Sequence, residues 1–180
     1  MDPYQQLLLR RRSTRKFTDE LLTSDQTRTI LEAALLSPTS KNRHSWEFIV
    51  VEKKDVLTKL SRCKPNSGTL IAGAAIAVVV MGNPIVSDAW IEDASLAAIS
   101  MQLQAEALGL GSCWVQVRNR SYSDSMSASD YINELLDVPM PLSVLCVIAI
   151  GHKEKERPTA DLDLLPWEKV HIDTYRNEEE

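Results

Sequence analysis

The residues of this chain best suited to chemistry are Arg10-Arg11-Arg12-Ser13-Thr14-Arg15-Lys16, seven positions that hold five of its 20 lysines and arginines. The remaining 15 basic residues face 25 acidic ones, so a strongly positive run sits in an otherwise acidic protein of net charge −5. That concentration suits one compact anion, and phosphate is the natural candidate. Arginine forks match phosphate oxygens bidentately, and Ser13 and Thr14 add neutral donors. The run also fits a solvated surface, a kinase target or a nucleic-acid patch. The sequence pI of about 5.3 and the lack of interleaved aromatics argue against nucleic acid.

No side-chain catalyst accompanies the run. Gly-x-Ser-x-Gly is absent, so there is no nucleophile elbow. Cys63, Cys113 and Cys146 are far apart, and Cys113 and Cys146 lie in apolar strand-like segments, so they read as core thiols. His44, His152 and His171 lack metal-ligand spacing, and Glu92-Asp93 form no metal set. No Gly-x-Gly-x-x-Gly follows a strand and no Gly-Lys-Ser/Thr occurs, which excludes the usual dinucleotide and Walker loops. An enzyme with neither nucleophile nor metal must borrow its chemistry. A phosphate-bearing organic cofactor would supply that chemistry and account for the arginines.

The elements that must position these groups are legible from caps and periodicity. Asp2-Pro3 opens a short helix through Leu9, placing the basic run at a helix end. Thr23-Ser24-Asp25-Gln26 has capping-box spacing and starts a second helix that stops at Ser37-Pro38. A donor-rich loop to Ser45 precedes a strand at Trp46 to Glu52. A short helix is expected over Lys54 to Arg62, a turn at Lys64 to Gly68, and a central strand over Ala75 to Met81. Ala89 to Leu110 is the longest helix. Its Glu92, Asp93 and Glu106 rule it out as a membrane span, and its small residues suit a dimer core. A strand at Ser112 to Val117, a helix near Ser129 to Leu136 and a last central strand at Ser143 to Ile150 complete the core.

The expected fold is α+β, about four strands flanked by helices, in one domain over residues 1–180. Residues 151–180 are rich in apolar side chains without periodicity and read as a C-terminal arm laid on a partner subunit. No apolar segment precedes the N-terminal charges, so a cytoplasmic protein that contacts neither membrane nor nucleic acid is expected.

Three motifs in order resemble the nitroreductase family: Arg11-Arg12-Ser13-Thr14-Arg15-Lys16-Phe17, Ser37-Pro38-Thr39-Ser40-Lys41-Asn42-Arg43-His44-Ser45-Trp46, and Ala107-Leu108-Gly109-Leu110-Gly111-Ser112-Cys113-Trp114. The likeness runs from about Pro3 to Gly151, and Trp90-Ile91-Glu92-Asp93 is typical of one branch. It implies a mixed or antiparallel sheet in an intertwined homodimer, with FMN at the subunit interface. NADH or NADPH would be the donor, and nitroaromatics, quinones or similar compounds the acceptors, in a ping-pong route through flavin N5.

The resemblance also assigns residues. Arg11, Arg12, Ser13 and Arg15 would hold the FMN phosphate, ribityl chain or pyrimidine edge. Pro38, Thr39, Ser40 and Asn42 would reach the flavin from the other subunit, and Trp114, Val115 and Gln116 would flank the ring. Arg157, with Lys153 and Lys155 as rivals, would complete the phosphate site. Two positions depart from the family: His44-Ser45 stands where Gln-Pro is usual, and Thr39 replaces a common serine. His44 reads as a solvated loop residue, Trp46 as core and Gly109 as a helix C-cap. A flavin store or sensor on the same fold, and a reductive dehalogenase or flavin-degrading enzyme, are the competing readings.

Overall fold

Local capping sets the helix starts in the computed structural model, which describes residues 1–175. Helix α1 (Pro3–Arg10) is capped by Asp2, whose carboxylate accepts from Gln5 N at 3.0 Å. Helix α2 (Ser24–Leu35) carries the full capping box. Thr23 Oγ1 accepts from Gln26 N, and Gln26 Oε1 accepts from Thr23 N. The other helices are α3 (Lys54–Leu60), α4 (Trp90–Ala107) and α5 (Ala128–Leu136), the last capped by Ser127. Gly109, at φ +76°, ends the turn after α4 in the left-handed conformation that glycine adopts most cheaply.

Four strands form one antiparallel sheet in the order β1-β2-β4-β3: β1 (Trp46–Val51), β2 (Ile76–Gly82), β3 (Gly111–Gln116) and β4 (Ser143–Gly151). Both faces are buried. Phe48, Val78, Ile148 and Trp114 meet α2 and α4 on one side, while Val79, Val147 and Val115 meet α3 and α5 on the other. Burial on both faces explains the near-continuous apolar runs of β2 and β4. The sheet is therefore purely antiparallel, flanked by helices as expected. Helix α4 ends three residues short of the expected Leu110, because the reversal begins at Leu108.

Backbone pairings lay the basic run across one end of this sheet. Ser13 bridges Ser112, and Thr14 N donates to Ser112 O at 2.9 Å. Phe17 then bridges Lys153, and Thr18 N donates to His152 O at 3.0 Å. Glycine permits this approach: a Cβ on Gly111 would lie 2.6 Å from the Thr14 side chain. The residues after β4 return along the run, with Glu154 N donating to Lys16 O and Ala160 N to Leu9 O.

Beyond that point the chain forms two short 3-10 turns, Leu162–Leu164 and Trp167–Lys169, neither with a buried residue. Leu164 and Trp167 are 80% and 67% exposed. The end of the expected arm, residues 176–180, lies outside the described residues. Among the described residues no helix is long and apolar enough to cross a membrane.

Candidate functional site

The basic run reaches the sheet at the start of β3, where Arg11 and Arg15 lie near Cys113. Arg11 is the half-buried C-cap of α1, while Arg12 and Arg15 are exposed. Among the described residues none of the three makes an ion pair. Arg15 lines two cavities, of about 490 and 460 Å³. The first also takes Lys16, Thr69 and Glu154; the second takes Thr14, Lys155 and Arg157 together with Glu154 and Glu156. The structure thus brings Arg157 to the same wall as Arg15. Lys153 is committed elsewhere, its Nζ 3.0 Å from Glu106 and 3.2 Å from Glu156.

Strand β3 continues from this corner. Trp114 Nε1 donates to Gln116 Oε1 at 2.8 Å, and Gln116 Nε2 donates to Arg118 O at 2.9 Å, which fixes both side chains. Val115 points the other way and is fully buried, so only its backbone can face a ligand. Burial pushes the Cys113 thiol up, although Arg15, Lys64 and Arg11 lie near enough to pull against it. Cys113 therefore stays protonated and is a core thiol, as its strand setting implies.

Lys64 is a member of this site that the sequence did not single out. Its Nζ donates to Gln116 O at 3.0 Å. Burial holds its ammonium below the ordinary lysine value, and the charge of Arg120 adds to that effect. The turn Lys64 to Gly68 carries only turn composition, and nothing in its spacing marks a partner 52 residues away.

Pro38, Thr39, Ser40 and Asn42 sit at a different corner. Ser40–Asn42 form a 3-10 turn between α2 and β1, and Lys41, Asn42 and His44 all have positive φ, at 52°, 55° and 46°. Left-handed backbone costs a non-glycine residue about 1–2 kcal/mol, so the surroundings must hold this loop in shape. Asp93, 2% exposed in the first turn of α4, does so: its Oδ1 accepts from Ser40 N at 2.7 Å and its Oδ2 lies 3.5 Å from Ser45 Oγ. Arg43 Nη1 donates to Val86 O, and His44 N donates to Thr39 Oγ1. His44 is exposed with its ring 5.4 Å from Trp46, and Trp46 is core, as expected for both. Asp93 thus serves as a loop anchor. No metal-binding group of three His, Cys, Asp or Glu exists among the described residues.

The sheet register fixes how far apart the two corners are. Trp46 pairs with Gly82 at one end of β2, while Ser112 pairs with Ile150, which pairs with Ile76 at the other end. Three strand spacings of about 4.8 Å and six residues of about 3.4 Å put the corners roughly 25 Å apart. The basic corner and the loop therefore do not adjoin within one chain.

The chain and its antiparallel sheet between helix layers have matches among known proteins. Residues 8–67 and 64–152 match the Nitroreductase family. The chain belongs to the nitroreductase family. It is 32% identical over 167 residues to an NADH dehydrogenase/NAD(P)H nitroreductase of Archaeoglobus fulgidus, covering 91% of this chain and 92% of that protein. It is 29% identical to an FMN reductase (NADPH) of Bacillus subtilis, covering 81% of this chain and 64% of that one. Among solved structures, an FMN-dependent nitroreductase from Clostridium difficile R20291 superposes with a TM-score of 0.92 at 45% identity, covering 94% of this nitroreductase-family chain and 98% of that one.

Proposed function

We propose that this chain is an FMN-dependent NAD(P)H oxidoreductase working as a homodimer, each flavin site being built from both copies. The observation that carries this reading is the roughly 25 Å between the basic corner and the Pro38 to Asn42 loop. Both are shaped for a ligand, yet they can meet only if a second copy brings its loop to the first copy's β3.

The donors present fit the cofactor. Arg11, Arg12, Ser13 and Arg15 offer unpaired guanidiniums and a hydroxyl to a phosphate, and Arg157 shares a cavity wall with Arg15. Trp114, locked by Gln116, would flank the ring together with the backbone of Val115. The ammonium of Lys64 places a positive charge on that strand and favours electron-rich partners there. From the second copy, Pro38, Thr39, Ser40 and Asn42 would close the site, held in register by the partner's Asp93. When bound, FMN supplies hydride chemistry that carries two electrons from NADH or NADPH to a nitroaromatic, quinone or similar acceptor, in ping-pong order.

Two exposed apolar features favour assembly. Helix α4 leaves Leu96 and Ile99 43% and 37% exposed on a helix otherwise packed in the core. The arm after Gly151 also presents Leu164, Trp167, Val170 and Ile172 to solvent. In this reading residues 1–180 form one domain whose arm lies across the partner.

Rapid anaerobic mixing of the FMN-loaded protein with NADH or NADPH tests the enzymatic reading. Bleaching of the flavin absorbance within seconds, followed by recovery on adding a quinone, is the expected result. A flavin that neither donor bleaches would mark the protein as a flavin store and overturn the oxidoreductase reading.

A further inference from the structure

Where β3 ends, the chain passes through Val117 into a loop that closes another polar cavity, of about 400 Å³. Its lining includes Arg118, Asn119, Arg120, Ser121, Ser127, Ser129 and Ser143, and no acidic residue. The cavity lined by Arg157 differs, because Glu154 and Glu156 share its wall. Among the described residues neither Arg118 nor Arg120 makes an ion pair. The closest acid on α5, Asp130, is occupied by Ser127 Oγ at 2.7 Å, and Asp124 is exposed on the same loop.

The backbone under these arginines is fixed. Arg118 N donates to Leu145 O at 3.0 Å, and Arg118 O accepts from Gln116 Nε2. Arg120 N donates to Val117 O at 3.0 Å, and Ala128 N donates to Arg120 O at 2.8 Å. Arg118 follows Gln116 by two residues, at most about 7 Å of extended chain. Lys64 lies between the two regions, bonded to Gln116 O and close enough to Arg120 to feel its charge. Positive groups therefore run without a break from Arg11 and Arg15, past Lys64, to Arg120.

Arg120 Nη1 donates to Asn119 O at 2.8 Å, which holds one end of that fork in place. With Arg118 beside it and serines around both, the wall suits a phosphate, which can accept from several donors at once. We propose that this cavity holds a phosphate of the dinucleotide donor, gripped by Arg118 and Arg120 while the nicotinamide reaches the end of β3. The identity of the ligand rests on the oxidoreductase reading; the anion site itself does not.

The test is calorimetric titration of the protein, supplied with FMN, with 2′,5′-ADP and with ADP, neither of which carries a nicotinamide. Both should bind the wild type, and Arg118→Gln with Arg120→Gln should weaken both by about tenfold or more. Tighter binding of 2′,5′-ADP than ADP supports the proposal through the 2′-phosphate, and tighter binding of ADP supports it through the pyrophosphate, which 2′,5′-ADP lacks. Lysine at both positions should restore part of the affinity, since charge is kept and the fork is lost. The thermal transition and FMN content of the variants should match the wild type. Undiminished binding by the glutamine variant, or no binding by the wild type, overturns the proposal. The probes need no flavin, so a protein that fails to take up FMN would refute the proposed function and still report on this cavity.

Discussion

Replacing Arg11 and Arg15 together by alanine is expected to weaken FMN binding by about 3 kcal/mol or more, roughly a hundredfold in dissociation constant. Each charge-assisted contact to a phosphate contributes about 1.5–3 kcal/mol, and Arg15 belongs at the low end because it is exposed and screened. The folded state should be little affected. Neither guanidinium is engaged by a protein acceptor among the described residues, so its removal leaves no carboxylate unpaired. Arg10→Ala serves as the control, since Arg10 is exposed on the last turn of α1 and is not assigned to the site. Titration of the apoprotein with FMN, followed by flavin fluorescence, measures the change. Equal affinities for the double variant and the wild type would move the phosphate site away from the basic run.

A second large effect is expected on α4. Leu96→Glu with Ile99→Glu should leave each chain folded, because both side chains already face outward in the isolated subunit. In a two-fold dimer each substitution appears twice, so four apolar contacts are lost. Each is worth about 1 kcal/mol at this partial exposure, and burying four carboxylates would cost several kcal/mol more. Sedimentation should then show a monomer at micromolar concentration. The monomer should also lose FMN, although no substituted residue touches the proposed flavin contacts, because the Pro38 to Asn42 loop would no longer arrive from a partner. A monomer that kept flavin at wild-type affinity would show that one chain suffices.

The readable part of this fold came from short-range signals. Thr23 and Gln26 are three residues apart, Asp2 precedes Pro3, and β2 and β4 are uninterrupted apolar runs, so each element announces itself within a few residues. The core placement of Trp46 and the C-cap role of Gly109 were legible for the same reason. Charge alone suggested an anion site in the basic run, with a solvated surface as the competing reading.

What sequence order could not show were contacts between distant segments. Asp93 holds Ser40 N from 53 residues away, and Lys64 reaches Gln116 O across 52. A buried carboxylate in a helix's first turn has the same local signature whether it caps its own helix or anchors a loop elsewhere. Arg118 and Arg120 were passed over because the Arg118 to Ser129 loop has ordinary turn composition, and only the folded chain gathers its guanidiniums and hydroxyls around one cavity. Val115, assigned to the ring by resemblance, turns its side chain into the core beneath α3 and α5, as strand alternation requires once Trp114 takes the opposite face of the sheet.

The most direct test of the central claim is the visible spectrum of the purified protein before and after incubation with FMN. The account predicts bound flavin absorbance in the blue that survives gel filtration, with two flavins per dimer. Protein that remains colourless after incubation and gel filtration would contradict it.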